Sequence, residues 1–182
     1  DVVITARNEP ETPIAVGGRE AAFVAADVRD IDQIDALVGA TVTAHGRLDV
    51  LVNNAGGSPN AEAATASPRF SEAIIRLNLL APLNLAQAAN AIMQAQDDGG
   101  SIINIGSLSG MRPSPGTAAY GAAKAGLVNL TTSLAMEWAP KVRVNAVSAG
   151  MVRTEIFEEY YGGPEGAASV SAIVPMGRVA EP

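Results

Sequence analysis

Short apolar runs alternate with stretches of helical spacing along nearly the whole chain, and that alternation limits the folds open to it. Asp1, Val2, Val3, Ile4 and Thr5 form a β-rich run already in progress at the first residue. Ala22, Phe23, Val24, Ala25 and Ala26 form a second. Residues 31–44 place Ile31, Ile34, Leu37 and Val38 at helical spacing, with Asp30 in the capping position. Residues 48–52 read as a buried strand. Residues 68–95 read as one long helix, with Ser67 as cap and Pro68 in the first turn. A strand over 101–106, a helix over 117–138 ended by Pro140, and a strand over 142–147 complete the series. Strands alternating with helices predict an α/β fold: a Rossmann-like, doubly wound parallel sheet with helices on both faces.

Composition narrows the class further. A length of 182 residues suits a single domain. Apolar residues make up 48% of the chain but aromatics only 4%, so the core must be built from Ala, Val, Ile and Leu. The net charge of −7, without basic clusters, argues against a nucleic-acid partner. No apolar run approaches the roughly 20 residues needed to span a bilayer. No signal peptide is visible. There is no cysteine, so there are no disulfides, which fits a cytoplasmic protein. With no cysteine and one histidine, no metal site is expected.

The chemistry concentrates in one helix and the strand before it. Tyr120 and Lys124 are four residues apart in an alanine-rich segment free of proline, so they share one helical face. An ammonium beside a phenol favours the phenolate, and a phenol with a lowered pKa is a better proton donor near neutrality. Ser107 follows the apolar run Ile102, Ile103, Asn104 and Ile105. That places it at the carboxyl end of a strand, where α/β enzymes carry their chemistry. The single histidine, His45, precedes the strand at 48–52 and lies near its amino end. A five-residue strand separates the two edges of the sheet by roughly 17 Å, so His45 cannot serve Ser107 as a hydrolase base. Ser107 also lacks the G-x-S-x-G context.

Motifs elsewhere fall into one pattern. Asn53, Asn54, Ala55 and Gly56 follow a strand end. Asn78 sits in Arg76-Leu-Asn-Leu-Leu-Ala-Pro82, and Val142-Arg-Val-Asn-Ala-Val-Ser148 forms the last strand. Met176, Gly177 and Arg178 follow a variable stretch. With Ser107, Tyr120 and Lys124, these resemble the short-chain dehydrogenase/reductase family across nearly the whole chain, and are similar to its 3-oxoacyl-[acyl-carrier-protein] reductases. Family members begin with a strand and a Gly-rich turn and close with a further strand. Residues 1–182 therefore read as one dinucleotide-binding oxidoreductase domain, incomplete at both ends. In strand order 3-2-1-4-5-6 the first strand is central, so the runs at Asp1 and Ala22 are expected to be cut off from the strands that follow.

The resemblance implies hydride transfer between a nicotinamide cofactor and a carbonyl or secondary alcohol. Tyr120 would be the general acid in reduction and the base in oxidation. Lys124 would lower the tyrosine pKa and bond the nicotinamide ribose. Ser107 would donate to the substrate oxygen. Asn78 would hold a water of a proton relay; the other reading is a polar residue bonding its own helix backbone. Asn53, Ala55 and Gly56 would flank the cofactor, with the segment also bracing the central strand. Asp27 and Val28 would meet the adenine, Asp27 having the alternative of a helix cap. Val152 and Thr154 would lie near the nicotinamide amide and the phosphate. Ala149 replaces the usual proline before Gly150, which loosens that turn.

Arg7 ends the first run where NAD users commonly carry an acid. A guanidinium there favours NADP(H), because it bonds a 2′-phosphate well. A surface arginine, with NAD(H) and a hydroxysteroid, sugar or hydroxyacyl substrate, is the alternative; a non-catalytic relative is another. The resemblance also implies a small-molecule substrate and a homodimer or homotetramer built on the Tyr120 helix and the helix from Pro68. The substrate pocket would come from residues 109–116 and 155–175, where Met111, Phe157, Tyr160 and Tyr161 suggest a partly apolar lining.

Overall fold

The computed structural model describes residues 1–155 and 157–182, and the side chains of all of these except Val16 and Tyr160. It falls into two compact units, Asp1–Val147 and Ser148–Pro182.

The first unit carries the α/β fold. β1 (Val3–Ala6) and β4 (Ala22–Ala25) pair in parallel, with Ala6 opposite Ala25. Between them β2 (Ala15–Val16) and β3 (Arg19–Glu20) make a short antiparallel hairpin. Gly17 and Gly18 turn it at φ of 60° and 77°, angles that only glycine adopts at little cost. The Gly-Gly pair is the sequence signal for this hairpin. α1 (Ile31–His45) starts as expected at Asp30, whose carboxylate accepts from the backbone N–H groups of Asp32 and Gln33. Gly46 ends it at φ 74°. β5 (Val50–Asn53), β6 (Gly100–Ser107) and β7 (Val142–Ala149) form a second sheet in that order, β5 and β6 parallel. No strand pairing joins β1 and β4 to this sheet among the described residues.

The helix expected over 68–95 is not continuous. α2 (Pro68–Ile75) starts at Ser67, whose hydroxyl accepts from Phe70 N, and α3 (Ala81–Ala95) follows. Between them Arg76–Leu80 winds one wider π turn, closed by Ala81 N donating to Arg76 O. Proline supplies the reason. Pro82 has no N–H for the carbonyl four residues back, which is that of Asn78, and its ring would crowd that carbonyl in a regular helix. The wider turn relieves both.

α4 (Ala118–Trp138) packs on β6, and α3 lies beside both α1 and α4. Beneath this helical layer two cores meet. One joins Ala86, Ala89 and Met93 of α3 with Ile102, Leu134, Val142 and Val144. The other joins Val28, Ile34, Leu37, Ala81 and Leu85. As composition requires, almost all of these are aliphatic. Burial along β5 alternates: Asn53 is buried and Leu51 partly so, whereas Val50 and Val52 are half-exposed.

In the second unit α5 (Phe157–Tyr160) and α6 (Pro164–Ile173) are helical. Gly162 and Gly163 break the chain, but Pro164 opens α6, the position that suits a residue without an N–H. Phe157, Ala167 and Val179 form its small core. Arg153 lies over the Phe157 ring at 5.5 Å and pairs with Glu158 and Glu181.

Candidate active site

Lys124 is the anchor of the arrangement. Its side chain is 3% exposed, and Nζ donates to Ile105 O at 2.6 Å. No carboxylate pairs with it among the described residues, and burial pushes its ammonium below the ordinary lysine range. Nζ stands 5.7 Å from the centroid of the Tyr120 ring, as the i, i+4 spacing predicts. Tyr120 itself is half-buried. A lysine donates three hydrogen bonds, so two N–H groups beside Tyr120 have no protein acceptor among the described residues.

Gly56 and Asn78 close in on the same ammonium from two other elements. A Cβ added at Gly56 would lie 2.6 Å from Asn78 Oδ1 and 3.4 Å from Lys124 Nζ. Glycine is required here for close approach inside the protein. Ala55 and Gly56 are nonetheless exposed residues. Asn78 is fully buried in the π turn. Its Oδ1 accepts from Gly57 N at 2.9 Å, and its Nδ2 donates to Gly57 O at 2.9 Å and to Ile74 O at 3.0 Å. The bond to Ile74 is to its own helix backbone, as the alternative reading held. The paired bonds to Gly57 clamp the loop after β5 against the helix. Both N–H groups of the amide are thereby engaged, and Oδ1 holds one bond. Its backbone carbonyl is one that Pro82 cannot serve as an α-helical donor.

Ser107 is the last residue of β6. Its Oγ accepts from Ser109 N at 3.2 Å, which fixes the oxygen and leaves the O–H to donate elsewhere. The turn Leu108–Gly110 then lies flush on α4: a Cβ at Gly110 would meet the backbone of Lys124 and Ala125 at 2.7 Å. A shallow cavity of about 680 Å³ is lined by Ser109, Met111, Arg112 and Ser114 and by Ala118 and Ala122 of α4. At 100° per residue Ala122 lies some 200° around the helix from Tyr120, so this cavity is on the flank of α4 away from Tyr120.

Asn53 serves the sheet. Its Nδ2 donates to Asn104 Oδ1 at 2.8 Å and to Pro82 O at 3.2 Å. Asn104 Nδ2 donates to Thr131 Oγ1 at 2.9 Å, and Thr131 to Leu127 O at 2.7 Å. This buried chain ties β5 through β6 to α4. Asn104 and Thr131 were not singled out by sequence; their partners are distant in the chain, and only the polar residue inside an apolar run hinted at them. Asn53 Oδ1 is buried without a partner among the described residues.

The residues read as adenosine contacts lie at the carboxyl ends of β1 and β4. Arg7 is exposed, and Val28 is largely in the core. Asp27 is not the cap of α1, a role Asp30 fills. Its carboxylate is instead held by Arg29, and that guanidinium brings its pKa down to about 2. In the second unit Val152 bridges Ala180 in parallel, and Thr154 N donates to Val152 O. Tyr160, read as a pocket residue, has its side chain outside the described residues. His45 Nδ1 lies 3.5 Å from Asp1 Oδ2. No described helix is long and apolar enough to cross a membrane, and the described residues hold no cluster of metal-ligating side chains.

The family model described as Enoyl-(Acyl carrier protein) reductase matches residues 1–182. The chain is 35% identical over 179 residues to a 3-oxoacyl-[acyl-carrier-protein] reductase of Synechocystis sp. (strain PCC 6803), covering 98% of this chain and 70% of that protein. A solved structure described as a putative short-chain alcohol dehydrogenase from Sinorhizobium meliloti 1021 superposes with a TM-score of 0.86 at 32% identity, covering 99% of this chain and 73% of the other. The structure of ElxO with NADP bound superposes with a TM-score of 0.82 at 32% identity, covering 88% and 66%. The chain belongs to the short-chain dehydrogenase/reductase family, whose members are NAD(P)-dependent oxidoreductases.

The residues present fit such a cofactor. A buried ammonium with two donors that lack a protein acceptor among the described residues, near the exposed residues Ala55 and Gly56, has the chemistry that ribose hydroxyls call for.

Proposed function

We propose that this chain belongs to an NADP(H)-dependent carbonyl reductase or secondary-alcohol dehydrogenase with Tyr120 as general acid and base. The observation that carries the proposal is the unpaired, buried Lys124 ammonium beside the Tyr120 ring. Among the described residues it has no carboxylate partner, only the Ile105 carbonyl, and burying a charge is costly.

Tyr120 gives its proton to the carbonyl oxygen in reduction and takes it back in oxidation. Lys124 favours the phenolate and bonds the ribose. Ser107, its oxygen fixed by Ser109 N–H, donates its O–H to the substrate oxygen and steadies the charge that develops there. Asn78 acts through its backbone carbonyl, which holds the water that returns protons to Lys124; its side chain keeps the loop at Gly57 in place. When bound, the nicotinamide supplies or receives the hydride. Ala55 and Gly56 offer exposed backbone to it, and Asn53 holds their strand. Asp27 and Val28 mark the adenine side, and Val152 and Thr154 the nicotinamide amide and phosphate. Arg7, exposed and without an ion pair among the described residues, takes the 2′-phosphate. Binding of NADP by ElxO, a protein of the same fold, supports the cofactor class. The small exposed residues Ala118, Ala122 and Ala125, together with Met136, give α4 a face suited to a second copy, hence a homodimer or homotetramer.

The test is a panel of carbonyls and secondary alcohols assayed with NADP(H) and NAD(H) on the full-length protein, beside Tyr120→Phe. Turnover with NADPH that Tyr120→Phe removes supports the proposal. Turnover that survives the substitution, or that runs on NADH alone, refutes the acid or the cofactor respectively.

A further inference from the structure

Arg7, Arg29 and Arg76 gather around the single carboxylate of Asp27 and the turn that carries it. Arg29 grips Asp27 as a fork: Nε lies 2.9 Å from Oδ1, Nη2 lies 2.5 Å from Oδ2, and Arg29 N donates to Oδ1 at 3.0 Å. The grip is itself held, because Arg76 donates through Nε and Nη2 to Arg29 O at 3.2 and 3.0 Å. Arg7 has a different position. The register Ala6↔Ala25 and the bond from Ala26 N to Ala6 O set Arg7 next to the segment that leads into Asp27. Its charge acts on Asp27, yet it forms no ion pair among the described residues.

One carboxylate cannot serve two guanidiniums equally. Bidentate pairing is the stronger mode, and with its own N–H added Arg29 takes both oxygens of Asp27, which leaves Arg7 outside the pair. If Arg29 let go, the other guanidinium whose charge acts on Asp27 is Arg7, brought near by the β1–β4 register, and an Arg7 bound to a carboxylate is drawn from any other anion.

We propose that Arg29 is a positioning residue for cofactor choice: by occupying Asp27 it keeps Arg7 free for the 2′-phosphate that distinguishes NADP(H) from NAD(H). This rests on the NADP(H) reading of Arg7 above. The same grip removes a bare negative charge from the neighbourhood of that phosphate. Arg76 adds to the effect by fixing the backbone from which Arg29 reaches.

The test is calorimetric binding of 2′,5′-ADP and 5′-ADP to the full-length protein, read as the ratio of the two affinities. The ratio cancels any change in the shared adenine and ribose contacts. Arg29→Ala is expected to lower the ratio roughly tenfold, the scale of one charge-assisted bond. Asp27→Asn combined with Arg29→Ala is expected to restore it to within about threefold of wild type, because Arg7 then has no competitor. Loss of a merely structural contact would not be rescued by that second change. A ratio unchanged in Arg29→Ala, or one that stays low in the double variant, overturns the proposal. Arg7→Ala separates the two levels. If it leaves the ratio unchanged, the NADP(H) reading itself fails; if it lowers the ratio while Arg29→Ala does not, only the role of Arg29 fails.

Discussion

Lys124 Nζ lies 5.7 Å from the centre of the Tyr120 ring and is anchored on Ile105 O, so strand β6 sets the position of the cation that faces the phenol. The two side chains share α4, but the third point of attachment comes from the sheet. With Tyr120 as the acid proposed above, rate and stability are coupled in this corner of the molecule.

Tyr120→Phe keeps the ring and removes the proton donor. Turnover is expected to fall about a hundred- to ten-thousandfold, the usual worth of general acid catalysis. Dinucleotide affinity should stay within about threefold. Steady-state kinetics and a binding titration on the same preparation check both halves.

Lys124→Met makes a prediction about pH. Burial depresses the pKa of Lys124 below its unfolded value of 10.5. Between the depressed value and 10.5 the unfolded chain binds a proton that the folded chain has released, so wild-type stability rises with pH across that window. The methionine variant should lack this rise and be relatively more stable near neutrality, while binding dinucleotide more weakly. Urea melts from pH 7 to pH 10 measure it; parallel pH profiles for the two proteins would contradict the burial of a charged lysine.

Asp27→Asn acts at the acid end. Asp27 titrates at about 2 in the fold against 3.8 unfolded. Its contribution is complete above 3.8 and is lost as pH falls from there toward 2. The pair is partly exposed to solvent, with side-chain exposures of 27% and 36%, so the effect should stay below about 1 kcal/mol. Acid denaturation followed by circular dichroism should show a flatter limb between pH 4 and pH 2 in the variant.

Gly56→Ala places a methyl group 2.6 Å from Asn78 Oδ1. The amide cannot move away without giving up its bonds to Gly57. A loss of about 1–3 kcal/mol is expected, together with a fall in kcat as the Lys124 side shifts. Thermal unfolding and kinetics are the readouts; a variant as stable and active as wild type would mean that Gly56 and Asn78 do not press on each other.

Much of this was legible in the chain because it depended on local rules. Strand and helix order followed from apolar spacing, the starts at Asp30 and Ser67 from capping chemistry, and the Tyr120–Lys124 face from helical periodicity. The break at Arg76–Leu80 was written in Pro82, but the surrounding apolar spacing masked it. The grip of Arg29 on Asp27 depends on the shape of a turn, and the link from Asn53 to Asn104 joins residues far apart in sequence. Neither has a periodic signature. The flank of α4 that carries the shallow cavity could not be told from the Tyr120 flank while both read simply as alanine-rich.

The π turn has a consequence for insertions and deletions. Removing Leu79 or Leu80 would let this stretch return to ordinary α-helical winding and would shorten the segment by one residue. In a regular helix such a deletion turns everything beyond it by about 100°. Here the five residues of the π turn cover about the rotation of four α-helical ones, so α2 and α3 would keep their phase while Asn78, inside the turn, swung by roughly tens of degrees, drawing the amide off Gly57 and releasing the loop that shelters Lys124. A helix that is locally less regular is thus what keeps two distant parts of the chain in phase. Relatives whose alignment drops one position between Ile75 and Pro82 should be sought among proteins that have kept the fold and lack the reaction proposed above.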